Sequence, residues 1–303
     1  MDVRSLENPD FSAFLDSQGP RRLPPCDVKE TKYTITSYDG VNIDIYHFVR
    51  NDHDKSEEPQ PALIHAHGGG LVACSISDVS RPTPARIAAE SGVQCFSVEY
   101  RMAPEFPFPT PLEDCYAALK WVVDNADELN VSKTRIGLIG ESGGACLVAG
   151  LSLLARDRKL SHLPKKQILI YPMLDNRSSQ NALSRPDDPR SQYFSNFIQM
   201  NEICWNAYLG YTEWESLNPD IRPYACPART GNFAGLPSTY IDVGSLDLFR
   251  DESVAFAAEL TAANVDVEFH LYDGVPHVFD IIAPNIPITK NAKDNRLRAI
   301  RSI

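Results

Sequence analysis

Apolar positions along the chain follow two alternating rhythms. Short runs of apolar or alternating character occupy 62–66, 93–99, 135–139, 167–171, 239–243 and 266–272. Between them, 84–92, 112–126, 144–156 and 251–263 repeat apolar residues at helical spacing, and a last such stretch lies near 290–302. Strands buried on both faces read as near-continuous apolar runs, whereas a helix packed on a sheet reads at a period of 3.6. The alternation therefore predicts an α/β fold, a mostly parallel central sheet with helices on both faces. Ahead of it, Tyr33-Thr34-Ile35-Thr36 and 41–46 flank Asp39-Gly40, which predicts an antiparallel hairpin at one edge.

Three stretches stand outside this rhythm. Residues 1–28 hold one weak amphipathic segment around Phe11, Phe14 and Leu15, closed by Gly19-Pro20 and Pro24-Pro25, and read as an arm. The acidic, proline-containing 51–61 reads as a surface loop. From about 176 to 235 no strand pattern occurs, yet Tyr193, Phe194, Phe197, Ile198, Met200, Ile203, Trp205, Tyr208 and Leu209 make an aromatic-rich helical segment. An insertion of that length in a compact α/β domain is usually a lid or binding element. No linker divides the chain, so residues 1–303 are expected to form a single domain.

Charge and cysteine usage narrow the function classes. A net charge of −11 on 303 residues would repel a phosphate backbone, and nucleic acid is not an expected partner. No apolar run approaches the roughly 18 residues of a membrane helix, and the first residues lack the apolar core of a signal peptide. A cytoplasmic protein without membrane insertion is expected. The seven cysteines lie 20 or more positions apart with no C-x-x-C, which argues against a zinc knuckle or a disulfide scaffold.

Candidate chemistry is concentrated where the run 135–139 meets Gly140-Glu141-Ser142-Gly143-Gly144 and then a small, oily helix. A strand and helix joined through so few residues force Ser142 onto a sharp corner, and glycines at 140 and 144 remove the Cβ atoms that would collide there. A G-x-S-x-G corner of this kind is a nucleophile elbow. His67-Gly68-Gly69-Gly70 follows an earlier strand, where bare backbone amides can approach a reacting oxygen. With the amide of Gly143, those of Gly69 and Gly70 would form an oxyanion hole. Gly68-x-Gly70-x-x-Ala73 also satisfies a dinucleotide fingerprint, but that motif must open directly into a helix, and Pro82 and Pro84 intervene.

A serine nucleophile needs a base and an orienting acid. Asp247 lies just past the strand 239–243, and His277 lies in the loop after 266–272. The order Ser142, Asp247, His277 fits a nucleophile elbow on a parallel sheet and not the chymotrypsin or subtilisin orders. Of the other histidines, His65 and His67 share a strand face and are expected to hold the glycine loop, His270 to pack or face solvent, and His47, His53 and His162 to be surface residues.

Four motifs in order resemble the hormone-sensitive-lipase-like family of α/β-hydrolases. They are His67-Gly68-Gly69-Gly70, the segment Tyr100-Arg101-Met102-Ala103-Pro104-Glu105-Phe106-Pro107-Phe108-Pro109, Asp247-Leu248-Phe249-Arg250-Asp251-Glu252, and His277-Val278-Phe279. Two departures from the family pattern bear on the site. Glycine stands at 143 where the family elbow has alanine, and Leu248 stands where it has proline. The resemblance implies a helical cap formed by about 1–28 and 176–235, with Leu71, Val72, Tyr193, Trp205 and Val278 as pocket residues. The motifs in order point to a serine carboxylesterase, whose triad chemistry needs no cofactor and no metal; the aromatic cap favours small to medium apolar esters, and the missing secretion signal agrees with a lactone or acetylated metabolite. A ligand receptor or non-hydrolytic lyase on the same scaffold is the alternative, because fold does not fix function. Oligomeric state, including a homodimer, stays open.

Overall fold

The computed structural model describes residues 27–52 and 58–303. The expected amino-terminal arm, apart from its last residues, and His53 lie outside them. Strands β1 (Val28–Thr36) and β2 (Asn42–Arg50) form the hairpin about Asp39-Gly40, with Gly40 at φ +85° in the turn. They are followed by β3 (Gln60–Ala66), β4 (Gln94–Glu99), β5 (Val131–Glu141), β6 (Lys166–Ile170), β7 (Ser238–Gly244) and β8 (Val267–Tyr272). Together these make an eight-stranded sheet of order β1-β2-β4-β3-β5-β6-β7-β8. The first two strands pair antiparallel and the other six are mutually parallel.

Helices α1 (Pro82–Ser91), α2 (Thr110–Asp124) and α3 (Gly143–Asp157) lie between successive strands. The long connection from β6 to β7 carries α4 (Ser178–Leu183), α5 (Ser191–Tyr208) and the short α6 (Arg222–Ala225). After β7 come α7 (Arg250–Ala262), the short α8 (Phe279–Ile282) and α9 (Pro287–Arg301). Two apolar layers cover the sheet. One joins Leu119 of α2, Leu147 and Leu151 of α3, Trp205 of α5 and Phe256 of α7; the other joins Ala88 of α1, Phe279 of α8 and Ile300 of α9. Helix α3 is buried along almost its whole length, as its sequence, apolar on every face up to Arg156 apart from Ser152, requires.

As expected, the glycine run after β3 does not open directly into an α-helix: a π-helical turn, Ile76–Ser80, intervenes, capped by the Ser75 hydroxyl accepting from the Asp78 amide. Two other features differ from expectation. Helix α9 starts earlier than its apolar pattern because Pro287, with no amide to leave unpaired, occupies its first turn. His47 is not a surface residue. It is buried, shares a 2.9 Å hydrogen bond with Gln94 Oε1, and stacks on Phe96 with ring centroids 4.0 Å apart. The reason is position in the sheet, since β2 is paired on both sides, to β1 and to β4. Among the described residues no helix is long and apolar enough to cross a membrane.

Candidate active site

One residue separates β5 from α3, and it is Ser142, at φ 54° and ψ −119°. A non-glycine residue persists in such a conformation only when its surroundings hold it there. Here the Ser142 amide donates to the Ile170 carbonyl at 2.9 Å and the Ser142 carbonyl accepts from Met173 at 3.2 Å. Glycine is required on either side. A Cβ on Gly144 would stand 2.0 Å from the Ala66 carbonyl oxygen, and one on Gly140 2.5 Å from that of Gly144.

The loops after β7 and β8 are laced together beside this corner. Ser245 donates to the Tyr272 carbonyl at 2.7 Å and Leu246 to that of Val275 at 3.1 Å, and Gly244 leaves no room for a side chain against Val275. This lacing brings Asp247 and His277 to the elbow. Ser142 Oγ lies 3.0 Å from His277 Nε2, and His277 Nδ1 lies 2.8 Å from Asp247 Oδ2. A carboxylate only accepts, so in the neutral ring Nδ1 carries the hydrogen and Nε2 presents its lone pair to the serine hydroxyl. Asp247 is fully buried and its other oxygen accepts from the Phe249 amide at 2.9 Å.

Facing the elbow is the glycine loop. Gly69 and Gly70 have φ of +110° and +62°, and Leu71 follows at 70°. Gly70 packs under Cys204 of α5, whose Sγ stands 2.4 Å from where a Cβ on Gly70 would be. The segment 100–103 buttresses the loop from behind. The Tyr100 hydroxyl donates to the His67 carbonyl at 2.7 Å, the two rings stack 4.1 Å apart, and the Ala103 amide donates to the Leu71 carbonyl at 3.0 Å. His67 Nδ1 donates to the Gly68 carbonyl at 2.8 Å, and burial pushes this imidazole down to about 3, so it stays neutral. His65 has a different job from the expected one. It bridges Ser97 at 2.6 Å and the Glu141 carboxylate at 3.0 Å, and so braces the end of β5.

The residues expected in a pocket are distributed unevenly. Leu71 and Val72 are buried next to the glycine loop and Val278, in a left-handed conformation, directly follows His277. Trp205 is buried within the packing of α5, 6.1 Å from the Tyr208 ring, whereas Tyr193 is 54% exposed.

The pattern of the chain did not point to the rings around the imidazole. Phe197 of α5 lies over His277 with centroids 4.9 Å apart and planes 27° from parallel, while Tyr171 and Phe249 meet it edge-on at 4.9 and 5.1 Å. Phe249, two residues past Asp247, was the one of the three with a local clue. Among the described residues no group of three His, Cys, Asp or Glu side chains is placed to hold a metal ion.

A family profile described as the alpha/beta hydrolase fold matches residues 63–281. In sequence the chain is 29% identical over 273 residues to Lipase 2 of a Moraxella species, a match covering 81% of this chain and 61% of that lipase. It is 32% identical over 219 residues to an arylesterase of Saccharolobus solfataricus, covering 72% of this chain and 67% of that one. In structure it is similar to a bacterial heroin esterase, with a TM-score of 0.84 at 30% identity over 99% of this chain and 92% of that one.

Proposed function

The chain belongs to the hormone-sensitive-lipase-like family of α/β-hydrolases and stands among carboxylic ester hydrolases, and from that place we propose that it is a serine carboxylesterase acting through an acyl-enzyme. The observation that carries this reading is the continuous hydrogen-bonded line from Ser142 Oγ through His277 to the buried Asp247. A hydroxyl is a weak nucleophile until a neighbouring base takes its proton. In the proposed reaction Ser142 Oγ attacks the ester carbonyl as its proton passes to His277 Nε2. Asp247 holds the imidazole in the right tautomer and stabilises the imidazolium that forms. The amides of Gly69, Gly70 and Gly143 receive the oxyanion. The C–O bond to the alcohol then breaks, His277 returns the proton to the leaving oxygen, and a water activated by the same imidazole releases the acid.

For substrate, the aromatic segment between β6 and β7 is proposed as a cap, favouring small to medium apolar esters over long triglycerides. The likeness to an arylesterase adds aryl esters to the first candidates. The test is a panel of p-nitrophenyl esters of graded acyl length, run on the wild type and on Ser142→Ala. Activity is expected to peak at short or medium acyl chains; a wild type no faster than Ser142→Ala removes the reading.

A further inference from the structure

We propose that Phe197 is a positioning residue for the His277 imidazole, and that through it the seating of α5 sets the alignment of the base. The inference rests on the acyl-enzyme reading. The two hydrogen bonds of His277, to Ser142 and to Asp247, run along one direction across the ring. They fix where the nitrogens lie but leave the ring free to tilt about the line joining them. The bond to Cβ limits that tilt, and groups packed on the faces and edges of the imidazole hold what freedom remains.

Phe197 is the ring that lies nearest to face-on, at 27°, whereas Tyr171 and Phe249 stand at 72° and 89°. Phe197 also packs against Phe249 at 5.5 Å, and Phe249 is the residue whose amide holds Asp247. Its side chain therefore touches the base directly and the acid through one neighbour. An aromatic face also favours the cation that His277 becomes when it takes the serine proton.

The three rings differ in origin. Tyr171 directly follows β6 and Phe249 lies two residues past Asp247, so both are tied to the sheet. Phe197 alone belongs to the inserted segment. Two helical turns further on, the same helix places Cys204 against Gly70 of the glycine loop. One face of α5 thus contacts both the base and the amides across from it, and a shift of this helix would disturb both together.

The experiment compares Phe197→Leu, Phe197→Met and Phe197→Tyr with wild type and Ser142→Ala on one short acyl ester. It records kcat and KM separately, together with the rate of phosphonate labelling of Ser142 and the melting temperature. Misalignment of a reacting group is costly in rate, so Leu and Met are expected to lower kcat about tenfold and slow labelling in parallel, with KM within about threefold. Tyr, which restores an aromatic face, is expected to recover most of the rate. If Leu fails to fold, Met and Tyr still decide the matter. A rise in KM at unchanged kcat would make Phe197 a substrate wall, and a Tyr variant as slow as Leu would remove the stacking account; either overturns the inference. If Ser142→Ala is inactive while Phe197→Leu matches wild type, this inference alone falls. If Ser142→Ala keeps wild-type activity, the acyl-enzyme reading itself has failed.

Discussion

Gly143 of the elbow and Gly70 of the glycine loop stand back to back: a Cβ on Gly143 would lie 3.0 Å from Gly70 Cα and 2.9 Å from the Leu71 nitrogen. The neighbouring atoms are backbone, so they could not rotate away as a side chain would. The chain's departure from the alanine of the family elbow is therefore matched by a glycine loop that sits close.

Gly143→Ala should push the loop off the elbow and misplace the proposed oxyanion donors. Loss of one such donor typically costs about 10²–10³ in rate. A drop in kcat of about 10²-fold is expected with the fold retained, read by steady-state kinetics beside a melting curve. An alanine variant as fast as wild type would show that the loop gives way freely.

Ser142→Ala and His277→Ala should each lower kcat by about 10⁴–10⁶, and combining them should add little, because in the proposed mechanism the two act as a unit. Asp247→Asn should lower it by about 10⁴, since an amide cannot hold the required tautomer. Kinetics of the three single variants and the double variant decide this. Strict additivity of the Ser142 and His277 effects would speak against a shared proton transfer.

The neutral, buried His67 gives a pH dependence with a defined sign. Burial is the leading cause that pushes its imidazole down to about 3, with the Gly68 hydrogen bond opposing. In the unfolded chain a histidine titrates near about 6.5. The unfolded state therefore binds the extra proton first, and stability is full above about pH 6.5 and falls as the pH drops toward about 3. Denaturant midpoints of wild type should decline between about pH 6.5 and 4 more steeply than those of His67→Asn; parallel slopes would refute the assignment.

Arg296 of α9 anchors the carboxyl-terminal side of the site. Its guanidinium, itself buried, bonds both oxygens of buried Asp242 at 2.6 and 2.8 Å and Asp280 at 2.6 Å. Burial alone would raise the Asp280 carboxyl, but the charge and hydrogen bond of Arg296 outweigh it and hold it below the usual range. Arg296→Met leaves two carboxylates without their cation and should destabilise the fold by about 3–5 kcal/mol. Adding Asp242→Asn should recover part of that loss. Urea unfolding of the single and double variants measures both, and a double variant weaker than Arg296→Met would contradict the charge account.

Much of the candidate site's geometry was legible along the chain because each of its parts is a local compromise. Gly140 and Gly144 mark a strand that meets a helix at once, and Asp247 and His277 each follow a strand end, where loops of a parallel sheet collect on one rim. The role of 100–109 was visible only as a resemblance; contacts such as Tyr100 on His67 explain it. His47 was misplaced because strand pairing, not its own neighbours in sequence, decides whether β2 is covered.

The sequence by itself determined the alternation of strands and helices, the corner at Ser142 and the chain order of serine, acid and histidine, because backbone sterics and apolar period act over a few residues. Only the tertiary structure decided which side chains close around the imidazole, that Cys204 presses on Gly70, and that His65 braces Glu141 instead of the glycine loop. Those contacts join segments tens of residues apart, and such a pair leaves no periodic or positional mark in either segment. Packing selects it from many apolar candidates once the sheet has set their distances.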